Sequence, residues 1–220
     1  MHNSITNAEG KNILGSRKIH TSWTDKEVAL YQKAIEFAEL AHKGATRKGS
    51  NMPYIIHPIE TSLIVYDMTD KVELIVAAVL HDVIEDTAYT SEDIRKEFGV
   101  RVAELVDDES EDKMRHMSAA DSWVIRKEAT IKHLKNASLE VKIIALADKL
   151  SNMRDTMRDY SQKGDDIWQK FNQKDKSKHE WYQRSILENT KELKDTEAWI
   201  EYKELCDKVF GEVRENLNDM

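Results

Sequence analysis

The chain is predicted to fold as an all-α domain, and three observations predict it. Gly (7) and Pro (2) are scarce in 220 residues, so there is little of the punctuation that a turn-rich β architecture needs. Apolar residues recur at helical rather than alternating spacing. Short connections with capping signals separate the periodic stretches. At 40% apolar, the chain can bury a core without disulfides or other staples.

Residues 1–23 are polar and aperiodic and read as an N-terminal arm. Thr24, with Glu27 three residues on, forms a capping box. Tyr31, Ala34, Ile35, Ala38 and Ala41 continue one helical face, and Gly44 closes it. Residues 44–56 form a basic loop carrying Arg47 and Lys48. Pro58 stands at the first turn of the next helix, whose face continues through Ile59, Leu63 and Tyr66. Asp70 and Glu73 read as another cap. The run VELIVAAVLHDVIED, apolar nearly all round, is predicted as one central buried helix through Asp86. Ser91 to Phe98 is a short helix stopped by Gly99, and Val100 to about Val106 follows, then the acidic stretch DDESEDK. Helices are expected over about 122–134 and from Leu139 to about Arg158, with further helical patterns near 165–172, 179–193 and 195–210. This gives an arm (1–23), a core (24–160) and a C-terminal helical extension (161–220) packed on the core. Trp168, Phe171 and Trp181 of the extension are expected to be packed side chains.

Net charge is −8. An acidic surface disfavours nucleic acid as a partner, and a polyphosphate ligand would need local cations or a metal. Cys206 is the single cysteine, so no intrachain disulfide can form and a reducing, cytoplasmic setting is expected. No apolar run approaches the roughly 20 residues that span a bilayer, and the N-terminus lacks a signal-peptide core. Oligomeric state, monomer or homodimer, is not legible.

The informative chemistry is polar and sits inside apolar helices. In VAAVLHDVIEDT four ionisable residues interrupt a buried run, with His81 and Glu85, and Asp82 and Asp86, each four apart. In IALADKLSNMRD, Asp148 stands inside an apolar helix with Asn152 one turn on, and His57 precedes Pro58. Buried charge needs pairing or a metal. His57, His81, Asp82 and Asp148 form a mixed nitrogen and oxygen set that suits one divalent ion such as manganese, iron or zinc. Such an ion would offset substrate charge and acidify a bound water. The remaining histidines (His2, His20, His42, His116, His133) read as structural.

The order His57, His81-Asp82, Asp148 resembles the H…HD…D pattern of HD-domain phosphohydrolases. With RKGSNMPYIIHP, LHDVIEDT, FGVRVAELV, EDK and LADKLSNMRD, residues 25–160 resemble the hydrolase half of RelA/SpoT-type alarmone enzymes, and still more the small alarmone hydrolases of the metazoan SpoT-homologue kind. The resemblance implies an all-helical HD domain holding one ion, usually Mn2+, on His57, His81, Asp82 and Asp148. It implies that Glu85 and Asp86 position and activate the attacking water, that Arg47 packs on the base beside Lys48, and that Asn152 lies near the ribose. Lys113 matches the family's Asp-Lys word, although Glu109 adds an acid there. Lys174, His179, Tyr182 and Arg184 are candidates for closing over the substrate phosphates. The implied reaction is metal-dependent 3′-pyrophosphohydrolysis of (p)ppGpp. An alternative is another nucleotide, such as the 2′-phosphate of NADPH, on the same machinery. A third is a nucleotide-sensing module, against which the complete set of ligands and acids counts. The roughly 60 residues after the matched stretch are too few for a synthetase domain, so alarmone synthesis is not expected.

Overall fold

The computed structural model describes residues 22–111, 113–114 and 116–212. The N-terminal arm, apart from residues 22 and 23, and Asp112 of the Glu-Asp-Lys word lie outside the described residues. Helix α1 (Asp25–Ala41) begins at the expected capping box: the Glu27 backbone N–H donates to Thr24 Oγ1 at 3.4 Å, and the Thr24 N–H returns to Glu27 Oε2 at 2.7 Å. In α2 (Ile56–Met68), Pro58 sits in the first turn, where its missing N–H leaves no intrahelical bond unmade. Among the described residues there is no β-strand, only an isolated bridge between Thr46 and Pro53 that closes the basic loop.

Helix α3 (Val72–Leu80) is buried at every position except Glu73. Its N-cap is Lys71 with no side-chain cap, which corrects the Asp70–Glu73 expectation. The expected single helix through Asp86 is also corrected. The chain turns at His81-Asp82, where the His81 imidazole takes up the Ala78 carbonyl, and restarts as the short α4 (Val83–Asp86). A second capping box, Thr90 with Asp93, opens α5 (Ser91–Phe98). Gly99, at φ +91°, allows the abrupt turn into α6 (Val100–Glu109). After α7 (Trp123–Asn136), the long α8 (Leu139–Lys163) runs five residues past the expected end. A 3-10 turn (Gly164–Lys170), α9 (Lys176–Asn189), a second short 3-10 turn (Lys191–Leu193) and α10 (Glu197–Phe210) complete the order.

The core lies where α3 packs against α1, α2 and α6, and α8 packs against α2, α3, α6 and α10. Leu74, Ile75, Leu80, Ile144, Leu146 and Leu150 are fully buried there, each stabilising the fold by roughly 1.5–3 kcal/mol through burial. The apolar first half of α8 thus carries Asp148 into the interior. Farther along, Trp168 is buried and stacks on His179 (4.9 Å) and Phe210 (5.7 Å), with Phe171 half-buried beside them. Trp181 departs from its expected packing: it is 39% exposed, because the buried face of α9 runs through His179, Tyr182 and Ile186. Cys206 is a free, buried thiol.

Candidate active site

Three segments converge. The turn at Tyr54 delivers His57 to the first turn of α2, the α3–α4 junction presents His81 and Asp82, and the buried face of α8 supplies Asp148. His57, His81 and Asp148 each place a ligand atom within 4.8 Å of the others. His57 Nε2 is 3.1 Å from Asp148 Oδ1 and 3.6 Å from Asp82 Oδ2, while His81 Nε2 is 3.0 Å from Asp82 Oδ2 and 3.7 Å from Asp148 Oδ1. Each imidazole is oriented from behind. His81 Nδ1 meets the Ala78 carbonyl at 2.8 Å, and His57 Nδ1 meets the Ser151 hydroxyl at 2.8 Å.

These residues fit a divalent cation. The carbonyl behind His81 requires a proton on Nδ1, so Nε2, buried beside the carboxylates without a hydrogen-bond partner, is the atom that would give up its proton to a bound ion and turn a lone pair to it. Burial alone would raise the Asp82 and Asp148 carboxyls. The neighbouring imidazoles, and Lys149 beside Asp148, outweigh it and hold both below the usual carboxylate range. Tyr54 donates its hydroxyl to Asp82 Oδ2, and Asn152 donates Nδ2 to Asp148 Oδ1 at 2.6 Å. Two imidazoles and two carboxylates, held by surrounding hydrogen bonds, suit a borderline divalent ion.

The cluster opens into a cavity of about 1100 Å³. Glu85 and Asp86, on α4, line it together with Lys113, which donates to Asp86 and lies 3.8 Å from Glu85 Oε1. Burial, aided by Asp82 and Glu111, pushes the Glu85 carboxyl up to about 6 against the pull of Lys113. Burial likewise pushes Glu109 up to about 8 against Lys149. Arg47 enters from the basic loop. Its Nη2 donates to Asn152 Oδ1 (2.8 Å) and Asp155 Oδ2 (2.8 Å), its Nε donates to Asp155 (3.0 Å), and its guanidinium lies over the Tyr54 ring. Asn152 therefore joins Arg47 to Asp148. Lys48 is exposed on the cavity lining, and Tyr182 is buried with its hydroxyl unpartnered.

Two candidates are not brought to the cavity. Arg184 is engaged by Asp207 at 2.5 Å and by the Gly211 carbonyl, so α10 holds it away from the lining. Lys174 is exposed in the turn before α9, outside the described lining residues. His179 does line the cavity, but its Nε2 is taken by the Gln173 carbonyl and its ring is stacked on Trp168. His42, read as structural, is a buried part of the cavity wall against Tyr54. Sequence reasoning missed Tyr54, Ser151, Arg126, Lys127 and Lys149. Tyr54 and Ser151 had a signal, standing three residues from His57 and Asp148. Arg126 and Lys127 had none, because they sit on an amphipathic helix that reads as solvated.

Comparison with known proteins identifies the fold family. The HD domain family matches residues 34–176, and the chain belongs to the HD-domain family. A probable GTP pyrophosphokinase of Mycobacterium leprae is 37% identical over 142 residues, covering 64% of this chain and 17% of that protein. A guanosine-3′,5′-bis(diphosphate) 3′-pyrophosphohydrolase of Vibrio cholerae is 38% identical over 138 residues, covering 60% and 18%. The chain thus spans under a fifth of the length of these relatives. Among solved structures, one from Listeria monocytogenes is 31% identical with a TM-score of 0.63, covering 71% of this chain and 99% of that one. A metazoan orthologue of SpoT, described as hydrolysing ppGpp, has a TM-score of 0.69 at 24% identity, covering 87% and 100%, and supports the fold. The resemblance carried by the sequence motifs is borne out. No helix among the described residues is long and apolar enough to cross a membrane.

Proposed function

We propose that the chain is a metal-dependent (p)ppGpp 3′-pyrophosphohydrolase acting in a reducing cytoplasm, with Mn2+ as its ion. One observation carries the reading: His57, His81, Asp82 and Asp148 meet at one wall of a cavity that also holds the Glu85–Asp86 pair. The names of the bacterial relatives supply the substrate class. The cavity supplies room for a nucleotide.

His57, His81, Asp82 and Asp148 would hold the ion. When bound, a divalent ion supplies charge neutralisation at a phosphoryl oxygen and makes water a better nucleophile. Glu85, half-buried and with a raised pKa, accepts the proton of the attacking water, and Asp86, neutralised by Lys113, orients it. The water oxygen bonds to the phosphorus at the 3′ position as the bond to ribose O3′ breaks, and O3′ takes up a proton from solvent water as the proton on Glu85 is returned to solvent. Pyrophosphate departs, leaving GDP or GTP. Arg47, held flat by Asp155 and Asn152, offers a guanidinium face to the purine. Asn152 sits beside the ribose, and Lys48, Lys113 and Tyr182 face the phosphates. Incubation of the manganese-loaded protein with ppGpp, with product analysis, tests the reading: GDP and pyrophosphate in equal amounts are expected, and intact ppGpp would refute it.

A further inference from the structure

The Glu111 carboxylate faces two cations of α7. Arg126 Nη1 donates to its Oε1 at 2.5 Å and Lys127 Nζ to its Oε2 at 2.7 Å, with Thr130 Oγ1 3.2 Å from the same Oε2. Among the described residues, one negative charge therefore stands against two positive ones, in side chains only 14–17% exposed. Uncompensated charge drawn out of water is costly unless an anion reaches it. The other partly buried cations named on the cavity wall have carboxylates of their own, one apiece: Arg47 has Asp155, Lys113 has Asp86 and Lys149 has Asp148, while Lys48 is exposed to solvent. Two more donors beside this pair lack partners. Arg126 Nε and the Tyr182 hydroxyl are buried without hydrogen bonds, and Tyr182, 4% exposed, has its ring 5.0 Å from Lys127 Nζ. Buried donors without partners point to a group that arrives from outside. The place adjoins the acidic pair, for the Glu111 N–H lies 3.4 Å from Glu85 Oε2.

We infer that Arg126 and Lys127, with the Tyr182 hydroxyl, form an oxyanion subsite that receives a phosphate group of the nucleotide. Glu111 holds the two cations in place and tempers their charge. The inference rests on the nucleotide reading above and adds to it the α7 wall, which no sequence motif marked. A nucleotide with phosphates at both the 5′ and 3′ positions offers two groups that could fill the subsite, and the ligands below separate them.

The test is calorimetric titration of the manganese-loaded protein with GDP, with guanosine 3′-monophosphate and with guanosine. Lys127→Gln and Arg126→Gln are each expected to weaken one of the two nucleotides about tenfold, as befits the loss of a charge-assisted contact, with guanosine unchanged. Glu111→Gln removes the tempering charge and is expected to tighten the same nucleotide. Should Arg126→Gln not fold, the other two variants decide. The inference is overturned if Lys127→Gln and Glu111→Gln bind both nucleotides like the wild-type chain, or if the wild-type chain binds neither nucleotide better than guanosine. Binding is read without turnover, so a protein that shows these shifts yet leaves ppGpp intact would refute the proposed reaction and keep the subsite.

Discussion

His57 Nδ1 lies 2.8 Å from the hydroxyl of Ser151, which donates in turn to Glu60 Oε2 at 2.7 Å. The hydroxyl proton is therefore spent on Glu60, so the shared proton at His57 sits on Nδ1 and leaves Nε2 free to bind an ion. Arg154 donates to Glu60 at 3.0 Å and clamps Glu201 of α10 through two nitrogens, at 2.7 and 2.6 Å. One hydrogen-bonded chain thus runs from the His57–Asp148 cluster to the C-terminal helix. Partners behind a ligating histidine fix its tautomer and raise its basicity. Ser151→Ala is expected to weaken manganese binding by about tenfold or more, measured by metal titration, while Ser151→Thr keeps it. Equal affinity in Ser151→Ala would contradict this role.

Glu85 gives a pH signature. Its carboxyl is raised to about 6, so it is protonated below that value and can accept a proton only above it. Turnover is expected to rise as pH increases through a limb at or below about 6, since a bound cation pulls the value down. Glu85→Gln should lose roughly 10²–10⁴-fold in turnover and leave residual activity without that limb, with metal affinity retained. A wild-type pH–rate profile carried unchanged into the variant would remove Glu85 from the reaction.

Much of this was legible in the sequence, and the division has physical causes. Thr24 with Glu27, and Gly99, act on their own neighbours, so their signals are local and complete. The convergence of His57, His81, Asp82 and Asp148 was legible because charge inside an apolar run demands an explanation. The break at His81-Asp82 was not, because the apolar run reads as one helix and the turn appears only when the imidazole takes the Ala78 carbonyl. Lys174 and Arg184 were misplaced because composition gives a helix its cations but not their direction. The pairing of Arg126 and Lys127 with Glu111 spans a loop, and nothing local announces it.

Arg47 is held by two α8 acceptors at once, and a lysine cannot reproduce that planar, forked contact. Arg47→Lys is expected to raise KM for the guanine nucleotide about tenfold, the equivalent of ~1.4 kcal/mol, with a smaller effect on kcat. Steady-state kinetics check this, and an unchanged KM would place Arg47 outside the base pocket.

Metal and stability should be linked. A divalent ion that binds the folded chain at one hundred times its Kd stabilises it by about 2.7 kcal/mol. Thermal melts with added manganese are expected to shift upward for the wild-type chain and not for His81→Ala, which removes the unpartnered Nε2. An equal shift in both would locate the ion elsewhere.

The most direct measurement is anion-exchange analysis of ppGpp after incubation with the manganese-loaded protein, beside the Glu85→Gln, Asp86→Asn double variant. The expected result is GDP and pyrophosphate in a one-to-one ratio from the wild-type chain and intact ppGpp from the variant, with both proteins binding the ion. Release of single phosphate, or equal turnover by the variant, would contradict the assignment.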